Sequence, residues 1–292
     1  MGGGNRGWEV PRQDGRRFVV TGASSGLGLE TARVLAERGA AVVLAVRNPA
    51  KGEAVAAALE GDVSVCPLDV ASLDSVRAFA AEIGPIDVLI NNAGVMAVPY
   101  ALTADGFETQ LATNHLGHFA LTNLLLPQLS DRVVVISSDV HARGEVVLDD
   151  LSWERRVYKP FGAYAASKLA NLLFLLELDR RLRASGSDVR AVGAHPGSTA
   201  TAITGSTGNA FKTWVGSWGH KLAGMSVRKG ALTTLYAATM DVPGNTFIGP
   251  DGFLEMRGWP TEVERADRAL DADLARGLWE RSEEMTGVRF PL

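Results

Sequence analysis

Residues 17–28, Arg17-Phe18-Val19-Val20-Thr21-Gly22-Ala23-Ser24-Ser25-Gly26-Leu27-Gly28, decide the fold. The apolar run at its head reads as a short buried strand. It leads without a spacer into three glycines. Leu27, Thr31, Val34 and Leu35 then recur at helical spacing until Gly39 stops the run. In this order backbone amides stand at a helix N-terminus with few side chains in the way, a setting that suits a pyrophosphate. Gly22, Ser24, Ser25, Gly26, Leu27 and Gly28 are therefore candidate dinucleotide contacts. The spacing is Gly-x-x-x-Gly-x-Gly, not Gly-x-Gly-x-x-Gly, and a tight turn without a ligand is the competing reading.

Working outward, the same alternation repeats. Ala41–Val46 reads as a second strand, Pro49–Leu59 as a helix, Val63–Cys66 as a third strand, and Ser72–Ile83 as a helix capped by Ser72. Ile86–Ile90 is a fourth strand. A long helical region from Thr103 to Leu129 follows, with a break expected near Thr113-Asn114. Val133–Ile136 is strand five, Phe161–Ala184 a helix, Val189–Ala194 strand six, Val227–Met240 a helix and Phe247-Ile248 a last strand. Thr261–Met285 reads as a charged terminal helix. Strands alternating with helices on short turns imply a Rossmann-type α/β domain with a doubly wound parallel sheet. Residues 1–15 look like a flexible arm that Trp8 and Val10 could pin to the body. Residues 16–292 carry no internal boundary and form one domain.

Bulk properties narrow the class. The chain has 292 residues, 46% of them hydrophobic and 21% charged, which allows one large α/β domain with a sizeable core. A net charge of −4 gives no electrostatic reason to expect nucleic acid as a partner. The longest apolar runs carry polar residues and none reads as a membrane span, and residues 1–16 lack the apolar stretch of a secretory signal. The single cysteine, Cys66, excludes an internal disulfide and suits a reducing, cytoplasmic setting. It reads as a structural thiol. No histidine set has zinc spacing, so no metal site is expected.

Two positions speak to chemistry. Tyr164 and Lys168 lie one helical turn apart, which sets an ammonium beside a phenol and favours the phenolate. Such a tyrosine can exchange the proton of an alcohol/carbonyl pair. At the end of the second strand, no carboxylate stands between Val42 and Asn48 to bond the ribose hydroxyls of NAD. Arg47 is there instead, with Lys51 behind it, and would pair with a 2′-phosphate, so NADP(H) is expected over NAD(H).

Together, Thr21-Gly22-x-x-x-Gly26-x-Gly28, Asn91-Asn92-Ala93-Gly94, Ser138 and Tyr164-x-x-x-Lys168 resemble the short-chain dehydrogenase/reductase family over residues 16–255. Asn114-His115-Leu116-Gly117-His118-Phe119, Ser137-Ser138-x-x-His141, His195-Pro196-Gly197 and Ile248-Gly249-Pro250-Asp251-Gly252 look like its retinol dehydrogenase and protochlorophyllide reductase branch. The resemblance implies a catalytic tetrad of Asn114, Ser138, Tyr164 and Lys168. Tyr164 would be the acid/base, and Lys168 would lower its pKa and hold the nicotinamide ribose. Ser138 would donate to the substrate carbonyl, and Asn114 would hold a water leading to Lys168. Asp69 and Val70 would flank the adenine, Asn91, Ala93 and Gly94 would line the cofactor, and Pro196, Gly197 and Thr199 would cover the nicotinamide. Asp69, Asn91, Ser138 and Pro196 all fall at expected strand ends, where ligands of doubly wound sheets collect.

The segment Asp139–Ala163 is longer than in compact members and should form a loop or short helix over the site. Within it, His141 could reach the substrate or pack the loop. Residues 199–226, with Trp214 and Trp218, look like a lid shaping an apolar substrate pocket. The helices around Asn114–Leu129 and Leu169–Leu178 are apolar almost all round, so more than one side is buried. Either two copies pair there as a dimer or tetramer, or the terminal helix covers these faces within one chain. The expected activity is hydride transfer between NADP(H) and an alcohol/carbonyl small molecule. A dinucleotide sensor without turnover is the alternative, against which the complete tetrad argues.

Overall fold

The computed structural model describes residues 7–197 and 226–292. Among the described residues, eight strands form one sheet in the order β3-β2-β1-β4-β5-β6-β7-β8. They are β1 (Arg17–Thr21), β2 (Ala41–Val46), β3 (Asp62–Pro67), β4 (Ile86–Asn91), β5 (Leu129–Ile136), β6 (Arg190–Ala194), β7 (Phe247–Pro250) and β8 (Pro260–Glu262). All neighbours run parallel except β7 and β8. Strand β1 pairs with β2 on one side and β4 on the other, so the chain reverses its winding there. That reversal opens a crevice beyond the strand ends.

Strand residues alternate between two cores, as period-2 geometry requires. Val19, Leu89, Val133 and Val135 face one core, built with α3 (Leu73–Glu82), α5 (Gly117–Leu125), α6 (Pro160–Ala184) and α8 (Ala272–Thr286). Phe18, Val20, Val88, Ile90 and Val134 face the other, built with α1 (Gly26–Glu37), α2 (Pro49–Ala56) and α7 (Val227–Thr239). Helix α6 is long and apolar enough to cross a membrane by length and composition, yet 78% of its most apolar window is buried inside the protein. Here it is a core helix. Of the expected arm, residues 7–15 lie on the body: Val10 and Gln13 are buried, and Trp8 stacks edge-on against Tyr236 at 5.1 Å. Cys66 is half-buried.

Two expectations need correction. The helix anticipated over Thr103–Leu129 begins only at α4 (Thr109–Leu111), because Glu108 caps it by accepting from the amides of Gln110 and Leu111. Before it, Leu102 bridges Glu108, and after it Leu129 already belongs to β5. The expected break is real, a π-helical turn over Ala112–Leu116. The terminal helix starts at Ala272 and not at Thr261, since Asp271 caps it and residues 260–262 form the antiparallel strand β8. A proline is tolerated there because β8 is an edge strand. The apolar faces of α5 and α6 are covered by α8. Trp279 stacks on Phe174 at 5.7 Å and meets Phe119 edge-on at 4.9 Å, while His115 bonds Ser282 at 2.9 Å. The terminal helix thus packs on these faces within one chain, one of the two readings the sequence left open.

Candidate active site

The site forms where β1, β4, β5 and β6 end. Gly22 and Gly26 adopt positive φ (68° and 58°), a region open to glycine, and this folds the turn back toward β4. A Cβ at Gly22 would stand 2.9 Å from Ala93 Cα, so the first glycine is required by the close approach of the two loops. Asn92 Nδ2 donates to Thr21 O at 2.8 Å, and Thr21 Oγ1 accepts from the amides of Asn92 and Ala93 at 2.9 Å each. The glycine loop is therefore tied to the Asn91–Gly94 loop by a side chain that sequence reasoning passed over.

Whether a dinucleotide fits can be judged from α1. Its N-cap Ser25 makes no side-chain capping bond and no acid sits in its first turn, whereas Asn48, Ser72 and Asp271 cap their helices through their side chains. Uncapped amides and the positive end of the helix dipole suit a pyrophosphate. Arg47 is exposed at the end of β2 and makes no ion pair with a described residue. Asp69 is half-buried and uses Oδ1 to accept from the Ala71 amide at 3.0 Å, holding its own turn. Val70 is buried, and its carbonyl lies so close to Gly117 that no side chain fits at that glycine. Asn91 is buried and donates from Nδ2 to Thr122 Oγ1 at 2.9 Å, a bond that braces β4 against α5. Thr199 and the 199–226 lid lie outside the described residues.

The expected tetrad converges. Lys168 is buried on α6; its Nζ donates to Ile136 O at 3.2 Å and lies 5.7 Å from the Tyr164 ring centre. A Cβ on Gly94 would meet Asn114 Oδ1 at 3.2 Å and Lys168 Nζ at 3.8 Å, so these three sit together. Asn114 occupies the π-helical turn. Its Oδ1 accepts from the Val95 amide at 2.8 Å, and its Nδ2 donates to Val95 O and Ser167 Oγ, both at 2.9 Å. The carboxamide is thus spent on holding the Gly94–Val95 loop against α6. Ser138, at the end of β5, caps a 3-10 turn (Asp139–Arg143) and donates to Asp139 Oδ1 at 2.8 Å.

The electrostatics differ from the expectation at one point. Lys168 was expected to lower the pKa of Tyr164 and so favour its ionisation. Instead, burial pushes the Tyr164 hydroxyl well above its ordinary value; a hydrogen bond with Ser138 opposes this and the nearby Asp139 charge adds to it. Burial is also what pushes the Lys168 ammonium down to about 8. Desolvation disfavours the charged form of each and is the largest cause of both shifts.

Three histidines border the site, each with identifiable partners. His118 Nδ1 faces Asn114 O at 3.3 Å, and since a carbonyl only accepts, that nitrogen carries the proton. Its Nε2 then accepts from the Thr21 hydroxyl at 3.0 Å, linking the glycine loop to the π-helical turn. Burial, with a smaller contribution from Lys168, depresses its pKa to about 4. His141 donates from Nδ1 to Ser138 O at 2.7 Å and accepts the Ala266 amide on Nε2 at 3.1 Å, which settles it as a loop-packing residue. His195 accepts from the Gly197 amide at 3.4 Å and meets Glu255 Oε2 at 3.0 Å through Nε2. That pair seats Pro196-Gly197 against the turn after β7. The segment after Ser138 packs over α6, with Leu151, Trp153 and Arg156 walling a small cavity with Glu108 and Ala163. Among the described residues, no group of three His, Cys, Asp or Glu could hold a metal ion.

The comparisons with known proteins agree with this arrangement. A family model described as short chain dehydrogenase matches residues 16–211. Human retinol dehydrogenase 13 is 40% identical over 95% of this chain and 86% of its own. Human retinol dehydrogenase 12 is 41% identical over 94% and 88%, and mouse polyprenol dehydrogenase 38% identical over 96% and 86%. A crystal structure of an uncharacterized protein from Mycobacterium Paratuberculosis is 51% identical, with a TM-score of 0.86 over 97% of this chain and 98% of that one. A blue fluorescent protein from a metagenomic library, solved with NADPH, aligns at 25% identity and a TM-score of 0.61 over 80% of this chain and 95% of that one. The chain belongs to the short-chain dehydrogenase/reductase family, in its retinol dehydrogenase-like branch, and is an NAD(P)-dependent oxidoreductase.

Proposed function

We propose that this protein is an NADP(H)-dependent carbonyl reductase or alcohol dehydrogenase acting on an apolar substrate, with Tyr164 as its acid/base. The observation that carries the reading is the meeting of Ser138, Tyr164, Lys168 and the Asn114-braced Gly94 loop at the strand ends. When bound, the nicotinamide cofactor supplies or accepts the hydride. The chain's own residues do the rest. The Gly22–Gly28 turn and the α1 N-terminus hold the phosphates, Arg47 takes the 2′-phosphate, and Ala93, Gly94, Pro196 and Gly197 shape the wall beside the nicotinamide. Asp69 and Val70 border the adenine side of that wall.

Tyr164, kept protonated by burial, gives its proton to the substrate oxygen in reduction and takes it back in oxidation. Ser138 orients that oxygen and stabilises charge developing on it. Lys168 serves as the nearby cation that holds the ribose side and steadies the phenolate as it forms. An apolar alcohol or aldehyde of isoprenoid type fits, since the named relatives act on retinol and polyprenol. A cytoplasmic location suits the unpaired Cys66 thiol. The test is consumption of NADPH with apolar aldehydes and ketones, retinal among them. Turnover by the wild type and a loss of about 100-fold or more in Tyr164→Phe, with cofactor binding retained, is expected for removal of a general acid. Turnover that survives Tyr164→Phe would remove the assignment.

A further inference from the structure

Asn114 holds one end of the Gly94–Val98 loop against α6, and Gln110, four residues earlier, holds the other end in the same way. Gln110 is fully buried, and its Oε1 accepts from the Ala97 amide at 2.7 Å. Its Nε2 donates to Pro160 O, in the first turn of α6, at 2.9 Å and to the Tyr158 hydroxyl at 2.8 Å. The Tyr158 oxygen lies 3.0 Å from Val98 O and 2.9 Å from Glu108 Oε1, and holds its one proton between them. Asn114 likewise takes the Val95 amide on its oxygen and gives its N–H groups to Val95 O and to Ser167 of α6. The two carboxamides are rungs of one ladder between the loop and the helix that carries Tyr164. We propose that Gln110 is a positioning residue that fixes the Val95–Val98 loop and so sets the gap through which a carbonyl reaches Tyr164. This inference rests on the functional reading above.

The placement of Tyr164 between the rungs follows from helix geometry. Pro160, Tyr164 and Lys168 are four residues apart and form one stripe on α6, with roughly 6 Å between neighbours along the axis. A Cβ on Gly94 would meet Lys168 Nζ at 3.8 Å, and Gln110 ties Ala97 to Pro160. The loop therefore runs along this stripe, from Lys168 at Gly94 to Pro160 at Ala97, with Tyr164 midway. Just before Gly94, Ala93 packs against Gly22 of the glycine turn. The cofactor phosphates belong at that end, which leaves Val95–Val98 to wall the substrate end. These four residues are half-buried, as the wall of an open crevice is. Ala97 has a φ of 51°, in the left-handed region that disfavours a side chain, and such a residue persists only where its surroundings hold it there. The short bond from its amide to Gln110 does this.

Two variants test the assignment on an apolar aldehyde that the wild type reduces. Gln110→Met keeps an unbranched side chain of similar length and removes all three bonds. It should raise KM for the aldehyde roughly 10-fold, the size expected when neutral hydrogen bonds at a buried site are lost. The Kd for NADPH, read by quenching of tryptophan emission, should stay within about twofold, because the glycine turn is untouched. Tyr158→Phe removes only the arm to Val98 and should raise KM roughly threefold. The double variant should be no worse than Gln110→Met, since both side chains act on the same loop. A purely structural role would lower the active fraction, and with it kcat, at an unchanged KM. Wild-type KM in Gln110→Met, or a loss of NADPH affinity in step with the rise in KM, overturns the proposal. Tyr158 is half-buried, so where Gln110→Met does not fold, a wild-type KM in Tyr158→Phe overturns it instead. With Tyr164→Phe inactive, either failure leaves the functional reading standing. Activity that survives Tyr164→Phe overturns both.

Discussion

Replacing Lys168 by methionine should make this protein more stable while abolishing turnover. The ammonium is fully buried and its only protein hydrogen bond in the described structure is to the Ile136 carbonyl. Burial pushes its pKa from 10.5 to about 8, so holding the charge inside costs about 3 kcal/mol. Methionine keeps the unbranched stem and forfeits the bond to Ile136 O, worth about 1 kcal/mol. That carbonyl is not orphaned, because Asn171 Nδ2 still donates to it at 3.0 Å. The net gain at pH 7 is about 2 kcal/mol, a rise in Tm of roughly 4 °C for a chain of this size.

The pH dependence is equally specific. Because the folded pKa lies below the unfolded one, the penalty is complete below pH 8 and fades as pH rises toward 10.5. The gain of Lys168→Met should therefore vanish near that upper limit. Urea unfolding of both proteins at pH 7 and near pH 10 reads this out. A variant less stable than wild type at pH 7 would refute the reasoning, as would a gain that does not change with pH.

Acid should weaken the fold through the buried histidines. His118 and His115 are held neutral by burial at about 4 and about 3, below the ordinary 6.5, so the stability they contribute is complete above 6.5 and is lost as pH falls. At pH 5 each costs about 2 kcal/mol, and His118→Gln should halve the combined loss measured by urea unfolding between pH 7 and 5. Equal losses in wild type and variant would contradict this. Arg47→Ala should weaken NADPH binding by roughly 10-fold or more, as removal of a charged contact does, and leave NADH binding nearly unchanged. Quenching of tryptophan emission on titration measures both, and equal wild-type affinities for the two cofactors would remove Arg47 from the specificity argument.

The sheet was legible because β1, β2 and β4 to β6 carry uninterrupted apolar runs that only a doubly covered sheet accommodates. The site was legible because glycines and polar residues sit at the ends of those runs. What stayed hidden depended on partners distant in sequence. An all-apolar α5 and α6 announce two buried faces, but the occupant is α8, whose Ala275, Leu278, Trp279 and Ser282 form a stripe under a charged exterior. Strand β8 escaped notice because three residues beginning with a proline form it only by pairing with β7. The bond from Asn91 to Thr122 and the Thr21–His118–Asn114 link are contacts between elements, invisible to spacing. Tyr164 shows the same limit: four residues from a lysine predicts attraction, while burial decides the sign.

The most direct measurement uses NADPH deuterated at its transferable position and an apolar aldehyde, with mass analysis of the alcohol formed. The account predicts one deuterium on the carbinol carbon with the wild type and almost none with Tyr164→Phe, although that variant still binds NADPH. Product without deuterium, or a Tyr164→Phe variant as productive as the wild type, would contradict it.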